Sequence, residues 1–445
     1  MSALDRKLGR DLWRLKGQVA TIALVLACGI MAMIMLRSTW QSLLAARDAY
    51  YETYRFADVF ARLERAPDAI AARIAQIPGV AVVDARVVEE IMVPIADEAD
   101  PVAGRIISLP ETGEPVLDAL HLRTGRMPAP GVAGEAVILE AFAVAHHLAV
   151  GDRLPAVING KLQQLAIVGI ALSPEYVFAM SGREFLADKR RFVVIWMSRT
   201  VVARAYQMEG AFNDLTLRLS PGASQPAVLA TIDRELARYG GRHAIGRDQQ
   251  TSNYMLGTEL DILRTLALMI PAVFLFVAGF LVNVVVSRLV FLERTQIAVL
   301  KALGFTNRRI GFHYLALVAL IVGLGAIFGI ASGIVTGGWM SDLYTEFYSF
   351  PTRAFHVSPA LIAGTIAVGL VAASTGALGA VRRISRMPPA EAMRPPSPLD
   401  YKRSLVERLG LAKVVGPSSM MVVREIQRRP IRFAMSTLGI AMGLA

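Results

Sequence analysis

Four stretches of this chain contain no Asp, Glu, Lys or Arg: Gly17–Leu36, Thr265–Ser287, Ile310–Ser341 and Ala354–Val381. Each is at least 20 residues long. A helix rising ~1.5 Å per residue needs about that length to cross a ~30 Å hydrocarbon core. The windows therefore predict an integral membrane α-helical bundle with four full spans. Hydrophobic residues at 54%, charged residues at 19% and a mean hydropathy of +0.47 fit a membrane protein that carries a water-exposed part. The first window reads as an uncleaved span and not as a signal peptide. Its apolar run exceeds the usual ~7–15 residues, and Arg37-Ser38-Thr39-Trp40 follows where a small-x-small cleavage site would stand.

Charge assigns the sides. Segments 1–16, 288–309 and 382–445 together hold 22 Lys/Arg against 7 Asp/Glu. Segments 37–264 and 342–353 hold 25 against 29. The net +11 thus falls on alternate loops, as the positive-inside rule expects, and not on a nucleic-acid-binding face. The N-terminus, the 288–309 loop and the chain after 382 are expected in the cytoplasm, with 37–264 outside. The single cysteine, Cys28, lies inside the first span and permits no intrachain disulfide.

Residues 1–16 read as a cytoplasmic basic amphipathic helix at the inner membrane surface, with Trp13 at the interface. Residues 17–36 are transmembrane span 1. The 37–264 region reads as an α+β domain. One βαβ unit comprises a strand at Arg55–Leu63, a helix at Pro67–Gln76 and a β-branched strand at Val80–Val93. A second comprises a strand at Asp214–Leu219, a helix at Gln225–Tyr239 and a short strand at Arg242–Ile245. The two are expected to share one mixed sheet. Between them, at about 96–192, lies an inserted, mostly-β subdomain. Its clearest feature is the Asn159-Gly160 dipeptide between Leu154–Ile158 and Lys161–Ile170, the signal of a two-residue type I′ hairpin.

Spans 2–4 occupy 265–381. Asn283 in the second reads as a helix–helix hydrogen bond. Gly325, Gly329, Gly333 and Gly337 form a strict four-residue stripe that lets two backbones approach, within this chain or between permease halves. Residues 382–430 read as a cytoplasmic linker. Arg424-Glu425-Ile426 echoes Arg10-Asp11-Leu12 ahead of an apolar run at 431–445. This predicts the start of a fifth span and a second repeat, so the chain is expected to be cut short.

Catalytic chemistry is missing from the sequence. There is no Gly-x-x-x-x-Gly-Lys-Ser/Thr loop, no Gly-x-Ser-x-Gly and no His-Glu-x-x-His. His146-His147 lacks supporting ligands. Glu89-Glu90 and Asp97-Glu98-Asp100 read as solvated faces. No catalytic residue, metal site or cofactor is expected.

The 288–309 loop is short, basic and rich in helix formers, and a Gly closes its helical part. An ordered helix between two spans suggests that something docks on it. The order of spans and the Glu293-Arg294-Thr295-Gln296-Ile297-Ala298-Val299-Leu300-Lys301-Ala302-Leu303-Gly304 run resemble the FtsX-like permeases of ATP-binding-cassette transporters, with a MacB-like periplasmic core domain, in the two-unit, ten-span form. Glu293, Arg294, Ile297, Lys301, Ala302, Leu303 and Gly304 match the family's loop, and Gln296 stands where an acidic residue is usual. The Pro388-to-Arg394 run resembles the family's ending after its last span. Gly125-Arg126-Met127-Pro128, Glu135–Glu140 and Gly151-Asp152 resemble the core-domain pattern.

The resemblance implies a multi-pass protein of the bacterial inner membrane, with its large domain in the periplasm. A separate cytoplasmic ATPase would dock on a coupling helix at about 288–309 through Glu293, Arg294, Gln296, Ile297, Lys301 and Gly304. A periplasmic membrane-fusion adaptor is an optional further partner. Two functions are compatible with it. One is export of a lipid, lipoprotein, peptide or drug-like substrate. The other is mechanical regulation of a periplasmic cell-envelope enzyme without transport.

Overall fold

The computed structural model describes residues 3–95, 100–179, 189–352, 355–385 and 388, with single positions 426, 433, 434 and 437 beyond them. The expected linker after 388, the repeat at 424 and the fifth span at 431–445 lie outside the described stretches. The chain forms two compact units. One is built from the chain up to Trp40, Leu263–Trp339 and the chain from His356; the other from Gln41–Ile262 and Met340–Phe355.

The first unit contains α1 (Ala3–Arg14), α10 (Pro359–Ser385) and the greater part of three longer helices whose remaining turns belong to the second unit: α2 (Lys16–Thr53), α7 (Thr251–Leu292) and α9 (Asn307–Phe347). Each of α2, α7, α9 and α10 is long and apolar enough to cross a membrane. At 42 residues, α7 is ~63 Å long, about twice the hydrocarbon thickness. Thus α2, α7 and α9 each continue well beyond the uncharged windows. The bundle's core is set by apolar residues three and four apart. Leu275, Ala278, Val282 and Val286 of α7 join Tyr314, Leu317, Val318 and Ile321 of α9 and Ala373, Ala377 and Ala380 of α10.

Small residues set how closely the helices approach. A Cβ at Gly325 would stand 2.9 Å from the Ala23 carbonyl oxygen, and one at Gly329 would stand 2.7 Å from that of Ala27. A Cβ at Gly333 would meet Ile34 and the Met31 carbonyl at 3.0 Å. Thr39 Oγ1 donates to the Gly337 carbonyl at 3.5 Å. The stripe therefore lies along α2 of the same chain. Gly279 and Gly376 bring α7 equally close to α10, and Asn283 Nδ2 donates to the Gly376 carbonyl at 2.7 Å.

The second unit holds two sheets. The base sheet contains β1 (Val59–Pro67), β2 (Val80–Arg86), β10 (Ala211–Leu219) and β11 (Ile245–Gly246), in the order β11-β1-β10-β2. The helices α3 (Asp68–Ile74) and α6 (Gln225–Leu236) pack on it through Ile70, Ile74, Val228, Ile232 and Leu236. Its two βαβ units interleave, so β10 lies between β1 and β2, a split-βαβ arrangement. Its pairings are all antiparallel.

The inserted sheet carries the parallel pairings. It contains β3 (Val88–Val93), β4 (Val102–Leu109), β5 (His121–Gly125), β6 (Glu135–Leu139), β7 (Arg153–Ile158), β8 (Lys161–Leu172) and β9 (Phe192–Ser198). The order is β5-β8-β6-β9-β4-β3-β7, and β7 also pairs with β8, which closes the sheet on itself. Strands β4 and β9 run parallel, as do β6 and β8. The helices α4 (Glu140–Ala145) and α5 (Arg199–Ala205) follow β6 and β9. The Asn159-Gly160 turn forms as expected: Ile158 pairs with Lys161, and the two turn residues have φ of 45° and 73°.

Four local expectations are corrected. The run Val80–Val93 is two strands in two different sheets, broken at the fully buried Val87. The Ser108 hydroxyl accepts the Val87 N–H at 2.8 Å, in place of a ladder partner. The insertion consequently runs from β3 through α5, wider than 96–192. The first strand begins at Val59 and not at Arg55. Asp118 accepts the Ala57 N–H while Arg247 donates to the Phe56 and Ala57 carbonyls, so side chains take groups that a ladder would use. The final strand is only Ile245–Gly246, because Asp233 already binds the Ala244 N–H.

Candidate functional site

The ordered loop between α7 and α9 is a nine-residue helix, α8 (Arg294–Ala302), shorter than the 288–309 expected for it. Helix α7 runs to Leu292, so the first residues of the predicted segment belong to that span. Glu293 is the joint, with φ −92° and ψ 8°. Backbone hydrogen bonds cross it, from Glu293 N–H to Leu289 and from Ile297 N–H to Glu293, both at 2.9 Å. The α8 C-terminus is a Schellman motif. The Gly304 N–H bonds the Lys301 carbonyl and the Phe305 N–H bonds the Leu300 carbonyl. The motif requires a left-handed residue, and Gly304 supplies φ +87° without a Cβ penalty.

The inward side of α8 is fastened by charge. The Glu293 side chain does not cap α8; it turns into the bundle, where the residue is buried. Its Oε2 accepts from Lys7 Nζ at 2.6 Å and from the Tyr314 hydroxyl at 2.8 Å. Lys7 also reaches Asp11 Oδ2 at 2.6 Å, and His313 Nε2 lies 3.4 Å from that oxygen. Burial alone would raise the Asp11 carboxyl, but the bonds from His313 and Lys7, together with their charges, hold it below the usual value. Two acids around one lysine thus join α1, the α7–α8 joint and α9. In a low-dielectric setting, removing one partner of such a cluster costs roughly 3–5 kcal/mol. Ile297 and Ala298 of α8 are buried beneath it. Lys301 Nζ donates to the Ile384 carbonyl at 2.6 Å, near the end of α10.

The outward side is different. Thr295, Gln296, Val299 and Leu303 are exposed; 296, 299 and 303 stand at i, i+3 and i+7, and 295, 299 and 303 at i, i+4 and i+8, spacings that share one helix face. Val299 is 45% and Leu303 70% accessible. A hollow of about 300 Å³ opens between this face and Lys7, lined by Thr295, Gln296, Val299 and Leu300.

The six residues singled out from the sequence therefore divide. Gln296 and Gly304 are exposed. Glu293 and Ile297 point inward, Lys301 caps α10, and Arg294 is half-buried with its guanidinium 5.7 Å from the Phe291 ring centre. Val299 and Leu303 were readable from helical spacing once Gln296 was chosen. Lys7, Asp11, His313 and Tyr314 were not: Lys7 lies 286 positions from Glu293.

A second charged centre lies in the other unit. Arg86 is buried against three carboxylates: Asp214 at 2.6 Å, Glu175 at 2.9 Å and Asp118 at 3.7 Å. Burial, aided by the Glu175 charge and opposed by Arg86, pushes the Asp118 carboxyl up to about 7. Its Oδ2 has no hydrogen-bond partner among the described residues. The cluster ties β2 and β10 of the base sheet to the turn after β8, through Glu175. His146 Nε2 lies 2.8 Å from the Arg190 carbonyl, and Glu89 accepts from Asn213 Nδ2 at 2.8 Å.

Residues 268–389 match the family model described as FtsX-like permease C-terminal, a segment that holds most of α7, α8, α9 and α10. No curated protein matches the chain. Among solved structures, the periplasmic region of MacB from Actinobacillus actinomycetemcomitans is similar at 8% identity and TM-score 0.29, covering 47% of this chain and 95% of that one. The extracellular domain of the noncanonic ABC-type transporter YknZ from Gram-positive bacteria is 12% identical with TM-score 0.28, covering 43% and 98%. A domain of a permease protein from Porphyromonas gingivalis is 15% identical with TM-score 0.27, covering 44% and 90%.

Proposed function

We propose, from the FtsX-like permease C-terminal segment at residues 268–389, that this chain is the membrane permease subunit of an ATP-binding-cassette transporter. ATP hydrolysis takes place in a separate cytoplasmic chain. The protein lies in a bacterial inner membrane, with its N-terminus and α8 in the cytoplasm and the two-sheet domain in the periplasm. The excess of Lys/Arg on alternate loops supports that orientation.

One observation carries the reading. Helix α8 is fastened on one side and bare on the other. The ATPase docks on the face of Gln296, Val299 and Leu303. Glu293, Ile297 and Lys301 do not touch it; they hold α8 to α1, α9 and α10. When the ATPase closes on ATP, α8 moves, and its anchors move the helices with it. The motion leaves the membrane along α7, which is continuous from Leu292 back to Thr251. The periplasmic domain is thereby worked mechanically, and the substrate class that suits such a device is a lipid, lipoprotein, peptide or drug-like molecule presented on the outer side.

Co-purification of the ATPase subunit with the full-length chain tests this. The Val299→Glu/Leu303→Glu double variant places two carboxylates on the exposed face and leaves every anchor in place. It is expected to lose the ATPase at least tenfold while thermal unfolding stays unchanged. Undiminished co-purification refutes α8 as the docking element.

A further inference from the structure

Within the second unit, a cleft of about 890 Å³ lies where the base sheet meets the inserted one. That volume is within the ~300–1,000 Å³ range of small-molecule sites. Its lining draws on both sheets: Phe60 and Arg62 come from β1, and Arg105 and Phe192 from β4 and β9. Phe60, Tyr176, Phe178 and Phe192 supply ring surface, with the Tyr176 and Phe192 centres 6.4 Å apart.

Arg105 is the unusual member. It is half-buried in a strand of otherwise apolar or small residues, and its guanidinium has five donors. One goes to the Tyr176 hydroxyl at 3.2 Å. Among the described residues, no carboxylate lies within ion-pairing distance of it. The nearest buried acids in the lining, Glu175 and Asp214, are engaged by Arg86. Glu90 lines the cleft from an exposed position opposite Arg105 in the β3–β4 ladder, Arg62 lies 3.7 Å from Asp214, and the exposed Arg242 adds positive charge. Glu175 and Asp214 act on Arg105 only through their charges, and its hydrogen bond to Tyr176 uses one of five donors, so a ligand anion can be taken without breaking an ion pair. Arginine's planar fork is suited to carboxylate or phosphate.

We propose that this cleft binds a small anionic amphiphile. Its carboxylate or phosphate bonds the Arg105 guanidinium, and its apolar or aromatic body packs on Phe60, Phe178 and Phe192. A ligand placed there touches both sheets at once. The site does not depend on α8 or on an ATPase, so it stands or falls separately from the docking reading.

The test is calorimetric titration of the full-length chain in lipid nanodiscs with 1-naphthyl phosphate, using empty discs as blank. Saturable binding is expected, at least tenfold tighter than for 1-naphthol or inorganic phosphate alone. Arg105→Met should weaken it at least tenfold, and Arg105→Lys less. A block applied after folding guards against a misfolded variant. In a Cys28→Ala background, Met92→Cys, which is half exposed on the cleft wall, is labelled with a bulky maleimide and should abolish binding. The proposal is overturned by an absence of saturable binding. It is overturned equally if 1-naphthol binds as tightly, or if neither Arg105→Met nor the maleimide has any effect.

Discussion

Asp118 shows how a single side chain ties pH to stability in the second unit. Its carboxyl is raised from an ordinary 3.8 to about 7, with burial as the leading cause. Between pH ~4 and ~7 the native protein therefore holds a proton that the unfolded chain has released, and stability falls as pH rises through that window. Asp118→Asn keeps an oxygen to accept the Ala57 N–H and cannot ionise. Thermal unfolding of the variant is expected to lose part of the wild type's decline between pH 4.5 and 7.5. An identical pH slope in the two proteins would show that Asp118 is not the group responsible. None of this could be read from the sequence. Arg86 lies 89 and 128 positions from the acids Glu175 and Asp214, and no local pattern marks residues that meet only after folding. The same holds for Lys7 and Glu293, whereas the two φ-demanding turns, at Asn159-Gly160 and Gly304, were legible because backbone strain selects the residue type locally.

At the scale of elements, the spans were the easiest to find and their ends the hardest. The absence of charge fixes where a helix crosses lipid. It does not show that α7 begins at Thr251 or that α9 reaches Phe347, since those ends are polar. The split of Val80–Val93 was hidden for a different reason: no Gly or Pro marks the change of sheet, and the break is held by a hydroxyl 21 residues away. Close helix packing is where a sharp prediction is available. We propose that the α9 stripe acts by letting α9 lie against α2. A methyl at Gly329 would meet the Ala27 carbonyl, a backbone atom that cannot step aside. Gly329→Ala is expected to destabilise the bundle by ~1–3 kcal/mol. Gly323→Ala, in open space on the same helix, should be neutral or slightly stabilising. Thermal unfolding in detergent separates them, and equal melting of the two variants would contradict a packing role for the stripe.

For the whole molecule, the division into a membrane bundle and an α+β domain followed from charge and hydropathy alone. The bounds of the insertion did not, because the strand that starts it continues, in sequence, the one before. Helix α8 is proposed to have an anchored side and a docking side, and crosslinking distinguishes the two. A photoreactive amino acid is placed singly at Gln296, Val299, Leu303 or Ile297 in the full-length chain, which is then co-expressed with the proposed ATPase partner and irradiated. Adducts to the ATPase are expected from 296, 299 and 303, and none from the buried 297. Adducts from 297 at the same yield, or none from any of the three exposed positions, would contradict it.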